Sequence, residues 1–112
     1  MLIELACHFP DPATPWVKIY SLNGQPLSLE KSLAVARRSP TGFNHGFGGS
    51  GPAQLALAIC LELFPQAAAI RLYEDFKSDY IATIGHHGEN EAQQEPFTVL
   101  LDVSKYADLA SD

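Results

Sequence analysis

A glycine-rich run lies directly before a long apolar stretch of the chain. The run "GFGGSG" places Gly46, Gly48, Gly49 and Gly51 around Ser50. Loop N–H groups gathered at a helix N-terminus form a concave site for anions, and glycines allow the backbone to approach a ligand closely. A phosphate or a carboxylate could bind here, with the Ser50 hydroxyl as a further donor. The alternative is structural: the glycines allow tight packing and Ser50 caps the helix that follows.

The same run completes no known catalytic or phosphate-binding motif. No lysine follows the glycines as in a Walker A sequence, and Pro52 stands where a nucleophile elbow needs glycine. Ser50 could act as a nucleophile only with a base beside it, and His45 is the nearest histidine in the sequence. We therefore expect a protein that is not an enzyme.

Cysteine and histidine residues form a second group that could do chemistry. Cys7-His8 and His86-His87 are adjacent pairs, and their spacing matches no zinc pattern. Neighbouring side chains also point to opposite sides of an extended chain. Cys60 lies within an apolar helical stretch, as buried free thiols often do. We expect no metal site, no cofactor and a reduced, cytoplasmic setting.

The charge of the chain is strongly uneven. The net charge is −6, and residues 1–61 carry three acids and four bases, whereas residues 62–112 carry ten acids and three bases. A nucleic-acid binder needs a basic surface, which this balance does not provide. An acidic surface fits a partner protein with a basic surface, or simply keeps the chain in solution. The candidate partner-binding acids are Glu74, Asp75, Asp79, Glu89, Glu91 and Glu95.

The elements that must position these residues begin with antiparallel strands. Alternation and β-branched or aromatic residues predict strands at residues 2–9 and 16–20. Asn23-Gly24 predicts a two-residue type I′ hairpin, and Pro26 suits an edge strand. The stretch at residues 28–36 fits a short helix or a strand.

Two helices are predicted next. The first begins at Ser50 or Gly51 and ends near Phe64, before Pro65, and it is apolar almost all round, as is typical of a buried core helix. The second, at residues 66–83, is amphipathic. Its predicted apolar face consists of Ile70, Tyr73, Phe76, Tyr80 and Ile84.

The last third of the chain completes a small α+β domain. Residues 85–96 read as a polar loop, residues 97–101 as a short buried strand, and Asp102 as a cap for a last short helix. We expect one domain over residues 1–112, with N-terminal strands, a buried central helix, an amphipathic helix and a C-terminal strand and helix. No apolar run reaches the roughly 18 residues that a membrane span needs.

The stretch "SPTGFNHGFGGSGPAQLALAI" at residues 39–59 resembles the signature of a family of small proteins of unknown function from bacteria, archaea, plasmids and phages. That family's pattern is close to S-P-x-G-F-x-W-G-Y-G-G-S-G-P-A-Q-L-A-L-A-I. This chain has His45 in place of the tryptophan and Phe47 in place of the tyrosine. The resemblance extends to "NGQPL" and "YEDFKSDYIATI", about two thirds of the chain. It implies a shared fold and a mobile-element setting, with no known reaction.

Three functions are compatible with these residues. We expect a non-enzymatic protein-interaction module of a mobile element, such as an inhibitor of a host defence complex of the CRISPR type, acting through the acidic surface. The first alternative is a small-anion or nucleotide-binding module that uses the Gly46–Gly51 loop. The second alternative is an enzyme, which would need either His45 and Ser50, or the cysteine and histidine pairs, to converge.

Overall fold

A computed structural model describes residues 1–85 and 94–111. Within these described residues, four strands form one antiparallel sheet in the order β3-β2-β1-β4. The elements are β1 (Leu2–His8), β2 (Ile19–Leu22), β3 (Gln25–Pro26), α1 (Leu29–Leu33), α2 (Ser50–Leu63), α3 (Gln66–Phe76), a π-helical turn (Lys77–Ile81), β4 (Phe97–Asp102) and α4 (Ser104–Ala110). The predicted α+β fold is therefore confirmed, with its N-terminal antiparallel strands and its C-terminal strand followed by a short helix.

The predicted hairpin is present between β2 and β3. Asn23 has φ 51° and Gly24 has φ 83°, the left-handed conformations that a type I′ turn requires. Pro26 lies in β3, an edge strand of two residues, where its missing N–H breaks no interior ladder. Local turn chemistry thus specified this part of the sheet.

The second strand begins three residues later than the sequence predicts. Residues 16–20 read as a strand, but β2 is Ile19–Leu22. The N–H of Thr14 donates to Asp11 O and the N–H of Val17 donates to Thr14 O, so turns continue through this segment. The exposed Trp16 and Val17 consequently lie outside the sheet.

The two faces of the sheet differ sharply in burial. Ile3, Leu5 and Cys7 of β1 are buried in one core with residues of α2, α3 and α4. The opposite face is exposed, and Leu2 and Leu100 keep 66% and 68% of their surface accessible. The sequence predicts that the strand near the C-terminus is buried. It lies instead at one end of the described sheet, and its residues alternate between half-buried and exposed.

Helix α2 lies at the centre of the core, as predicted. Every residue from Gly51 to Cys60 is buried, and the helix ends at Leu63, ahead of Phe64 and Pro65. Its N-cap is Gly49, which forms no side-chain cap bond. The prediction that Ser50 caps the helix is therefore wrong, because Ser50 is already the first helical residue.

The second long helix is interrupted where the sequence predicts continuity. Helix α3 ends at Phe76 and is followed by a π-helical turn, in which the N–H of Ala82 donates to Lys77 O at 2.9 Å. The predicted apolar face is wrong at Ile70, which is 48% exposed. The residues that α3 buries instead are Ala68, Ala69, Leu72, Tyr73 and Phe76.

Helix α4 closes the core beside the π-helical turn. Tyr106 is fully buried, and its ring packs edge-on against Phe76 at 5.2 Å between centroids. The N-cap of α4 is Val103, one residue after the predicted cap Asp102, although Asp102 Oδ1 does accept from the Ser104 N–H at 3.0 Å. In the described part of the chain, no helix has the length and apolar character to cross a membrane.

Candidate functional site

A groove of about 800 Å³ lies between the segment that leads into β2 and the start of α2. One wall is formed by residues 16–20, and the other includes residues 41–44 and 49–51. Trp16, at 64% exposure, and Phe43 and Phe47 give the groove aromatic surface. The groove therefore joins the predicted glycine loop to a segment that sequence reasoning assigned to the sheet.

The glycines of the loop serve different physical needs. Gly46 has φ 85°, and its N–H donates to Ile81 O at 3.0 Å. Gly48, Gly49 and Gly51 do not have positive φ, so of these four glycines only Gly46 uses a conformation that other residues rarely adopt. A Cβ on Gly51 would lie 2.7 Å from Asn44 Cβ, whereas a Cβ on Gly48 would meet nothing within 4 Å. Space therefore favours glycine at 51 and also at 49, where a Cβ would clash with the Phe47 ring, and conformation favours it at 46.

The start of α2 is open on the groove side. Gly49, Ser50 and Gly51 all line the groove, and Ser50 is exposed. Because Gly49 has no side chain to cap the helix, the first-turn N–H groups are not satisfied by a capping side chain. The predicted loop residues thus lie together at a helix N-terminus, where an anion is electrostatically favoured.

A polar cluster links the two walls of the groove. Lys18 Nζ donates to Asn44 Oδ1 and to Gln94 Oε1, both at 2.8 Å. Gln94 Nε2 donates to Asn44 Oδ1 at 2.8 Å and to His45 O at 3.2 Å. These bonds tie the lead-in to β2, the glycine loop and the residues before β4 to one another, and they place a positive charge at the groove.

His45 is a core residue. It is 1% exposed, its Nδ1 lies 2.7 Å from the Tyr20 hydroxyl, and its ring meets the Phe97 ring at 4.9 Å between centroids. The histidine therefore fills aromatic space in the core while its polar atoms bond to neighbours. Among the bonds of His45 are those to Tyr20 and Gln94, and Ser50, in contrast to His45, is exposed.

Two of the predicted acidic residues are held by neighbours in the fold. Glu74 lies 2.9 Å from Lys77 Nζ, and its Oε1 lies 3.0 Å from Arg38 Nη1 without hydrogen-bond geometry. The hydrogen bond from Lys77 lowers the pKa of Glu74, and the Arg38 charge adds to this effect. Asp75 is exposed and forms no ion pair among the described residues.

Asp79 is held in a similar way. It accepts a hydrogen bond from the Tyr106 hydroxyl and lies 3.4 Å from Lys105 Nζ. The bond from Tyr106 is the main reason that the pKa of Asp79 is lowered. Burial, helped by the same bond, raises the pKa of Tyr106. Glu95 is exposed, and the predicted acids Glu89 and Glu91 lie outside the described residues.

The cysteine and histidine pairs are not brought together in the described part of the chain. Cys7 is buried and His8 is exposed, on opposite faces of β1, and His86 and His87 lie outside the described residues. Within residues 1–85 and 94–111, no cluster of three or more His, Cys, Asp or Glu side chains could hold a metal ion. Cys7 and Cys60 are free thiols, and burial raises their pKa values to about 11 and about 12.

A family model matches the part of the chain that contains the groove and its polar cluster. The model of a family of unknown function, DUF6166, matches residues 14–99. The chain belongs to this family. The DUF6166 match includes every residue that lines the groove, and it leaves β1 and α4 outside. Comparison with curated proteins gives no match, and comparison with solved structures gives none either.

Sequence reasoning missed the residue that organises the interior of this DUF6166 protein. Gln54 is fully buried in α2; its Oε1 accepts from the N–H groups of Arg38 and Ser39 at 2.7 and 2.8 Å. Its Nε2 donates to Ser32 Oγ at 2.8 Å and to Ala36 O at 2.9 Å. The signal was present, since an amide inside an otherwise apolar helix needs partners. Their identity depended on the path of residues 32–39.

Proposed function

We propose that this DUF6166 protein is a non-enzymatic module that binds another protein through an acidic surface. The observation that carries the proposal is the exposed face of the sheet, where Leu2 and Leu100 lie beside Glu4 and Asp102. We call these four residues the open sheet face. Exposed apolar side chains next to charged ones are typical of interaction surfaces. The core needs none of these side chains, because all four are exposed.

The candidate acids divide into two classes that support this proposal in different ways. Glu74 and Asp79 bond to Lys77 and Tyr106, so they stabilise the fold around α3 as well as adding negative charge. Asp75 and Glu95 are exposed, and the described residues give them no ion pair. They are the acids that a basic partner can reach without breaking an existing bond.

The setting of the proposed interaction rests on the resemblance of residues 39–59 to its family signature. It suggests a protein of a mobile element whose partner belongs to a host defence complex of the CRISPR type. Such a partner carries a basic surface that normally holds nucleic acid, which an acidic protein can occupy in its place. The partner would be met in the cytoplasm.

An affinity capture experiment with paired charge variants tests the proposal. The tagged full-length chain is incubated with a bacterial lysate at low and at high salt, and retained proteins are identified by mass spectrometry. We expect a retained partner that high salt releases, because the contact is electrostatic. The double variant Glu4→Lys with Glu95→Lys should lose it, because both acids are exposed and Glu4 belongs to the open sheet face.

The control is Glu30→Lys with Glu62→Lys, which changes the net charge equally at exposed positions of α1 and α2. Loss of the partner in both variants would mean that binding depends on the net charge of the protein and not on the proposed acids. Failure to retain any partner would count against an interaction module.

The groove supports a second candidate, a small-anion or nucleotide-binding module. The specific observation is that the uncapped start of α2 and the Lys18 cluster lie in the same groove as the exposed ring of Trp16. A phosphate at the helix start and a base against Trp16 would fit this arrangement. Trp16 is the only tryptophan of the chain, so titration with ATP should quench its fluorescence. Unchanged fluorescence at millimolar ATP would contradict nucleotide binding.

A further inference from the structure

The backbone of β4 presents half of its polar groups to the outside of the sheet. The Val103 N–H donates to Met1 O at 2.9 Å, and Leu2 pairs with Asp102 in an antiparallel register. Hydrogen-bonded and non-bonded pairs alternate along an antiparallel ladder. The backbone groups of Phe97, Val99 and Leu101 therefore point at β1, and those of Thr98, Leu100 and Asp102 point away from it.

Two independent contacts agree with this assignment. The Asn23 N–H donates to Glu4 O at 2.8 Å, so the even-numbered residues of β1 bond to the β2 side and the odd-numbered ones to β4. The Tyr80 hydroxyl donates to Asp102 O at 2.9 Å, from the side of β4 opposite β1. With respect to residues 1–85 and 94–111, the N–H and C=O groups of Thr98 and Leu100 thus remain as the outward pairing positions.

This edge has few of the features that usually prevent another strand from adding. Native edge strands are often very short or carry lysine, proline or a bulge. The sequence of β4 is FTVLLD, six residues in regular register with β1, and Pro96 lies just before it. No strand in residues 1–85 or 94–111 pairs with the outer side of β4.

The side chains around the edge select a particular chemistry. Thr98, Leu100 and Asp102 are exposed, and Glu4 lies directly across from Leu100 in the register. Asp102 is partly balanced by the Met1 ammonium at 3.7 Å, whereas Glu4 and Glu95 form no ion pair among the described residues. The surface beside β4 is therefore apolar at Leu100 and negative around it.

We propose that the outer edge of β4 binds an extended basic segment of a partner protein by strand addition, with the segment pairing to Thr98 and Leu100. This inference rests on the proposed interaction function and specifies its geometry. Main-chain hydrogen bonds supply affinity in this mode of recognition, and alternate side chains supply specificity. A segment with lysine or arginine alternating with β-branched residues matches the negative charge of Glu4, Glu95 and Asp102 and the apolar surface of Leu100.

Amide exchange on the wild-type chain tests the pairing directly. The probe is a synthetic peptide of alternating lysine and valine, with a glutamate–valine peptide of equal length as the control. We expect the basic peptide to slow exchange of the Thr98 and Leu100 amides, which point outward. The Val99 and Leu101 amides should change little, because β1 already holds them.

A proline variant tests the same edge by binding. Thr98→Pro removes one N–H that points away from β1, so no bond between β4 and β1 is lost. Proline is tolerated in edge strands at such positions. It should weaken peptide binding about tenfold, as expected for the loss of one hydrogen bond. Thr98→Ala keeps the N–H and should bind as the wild type does. If Thr98→Pro fails to fold, the exchange experiment decides alone.

The possible outcomes separate this inference from the proposed function. Protection of Thr98 and Leu100 by the basic peptide, and not by the acidic one, supports it. Binding that leaves both amides unprotected overturns strand addition and leaves the interaction function standing. Protection that grows with protein concentration alone assigns the edge to a second copy of the chain, and absence of any protection at millimolar peptide also overturns the inference.

Discussion

The surroundings of Gln54 and the outer edge of β4 treat backbone polar groups in opposite ways. Residues 36–39 belong to no helix or strand, yet Gln54 bonds to groups of Ala36, Arg38 and Ser39. Strand β4 is regular, yet the groups of Thr98 and Leu100 point away from its only paired neighbour in the described chain. The backbone groups of Ala36, Arg38 and Ser39 are thus hydrogen-bonded inside the protein although this segment is irregular. Those of Thr98 and Leu100 have no partner strand among the described residues, although β4 is regular.

Buried polar groups and exposed polar groups differ in what they contribute to the stability of this molecule. A buried polar group that lacks a partner costs about 1–3 kcal/mol, so the bonds of Gln54 stabilise the folded chain. An exposed strand edge loses little, because water satisfies it, and it can exchange that water for a partner strand. Burial of α2 and the bonds of Gln54 therefore explain a large part of the signature motif around α2.

The largest expected contrast is between two leucines, one in each region. Leu57→Ala removes a side chain that is 0% exposed in α2, and it should lower the free energy of unfolding by about 2–5 kcal/mol. Leu100→Ala removes a side chain that is 68% exposed, and it should change that free energy by less than about 0.5 kcal/mol. Urea unfolding measures both. A large loss at Leu100 would show that the open sheet face is covered.

The next contrast isolates the hydrogen bonds of Gln54. Gln54→Met keeps the side-chain volume and leaves the N–H groups of Arg38 and Ser39 without their acceptor, so we expect a loss on the order of 3 kcal/mol. Gln66→Met makes the same change at an exposed position at the start of α3 and should be nearly neutral. Equal melting temperatures for the two variants would mean that residues 36–39 do not depend on Gln54.

The smallest contrast concerns two glycines at the start of α2. Gly51→Ala places a Cβ 2.7 Å from Asn44 Cβ, so the loop must shift and we expect a loss of about 1–3 kcal/mol. Gly48→Ala meets nothing within 4 Å and should fall within about 0.5 kcal/mol of the wild type. Thermal unfolding of both variants measures this. Equal stability would remove the close approach between Asn44 and α2 as a reason for glycine.

Local chemistry allowed much of the fold to be predicted. Asn23-Gly24 can adopt the positive φ angles of the hairpin, and the apolar run from Pro52 to Phe64 can be stable only when it is buried. The π-helical turn after Phe76 was not predictable in this way. It lies where Phe76 packs against the Tyr106 ring of α4, a contact between residues far apart in the sequence that local sequence patterns do not predict.

The candidate site was predictable only in part. The glycine loop was identified from its composition, but the groove also needs Trp16 and Lys18, which lie about 30 residues earlier in the chain. The acidic residues were counted correctly, but a count does not distinguish Glu74, paired with Lys77, from the exposed Asp75. Ion pairs depend on side-chain positions that the tertiary structure sets.

The α+β class, the hairpin and the buried helix could be predicted because each follows from the conformational preferences or the burial cost of residues close together in the sequence, and the uneven charge follows from composition. Which backbone polar groups have partners depends instead on how distant segments pack. Gln54 finds its partners because residues 32–39 pass beside α2, and the groups of Thr98 and Leu100 are exposed because β4 lies at the edge of the sheet. Both depend on contacts between residues that are far apart in the chain.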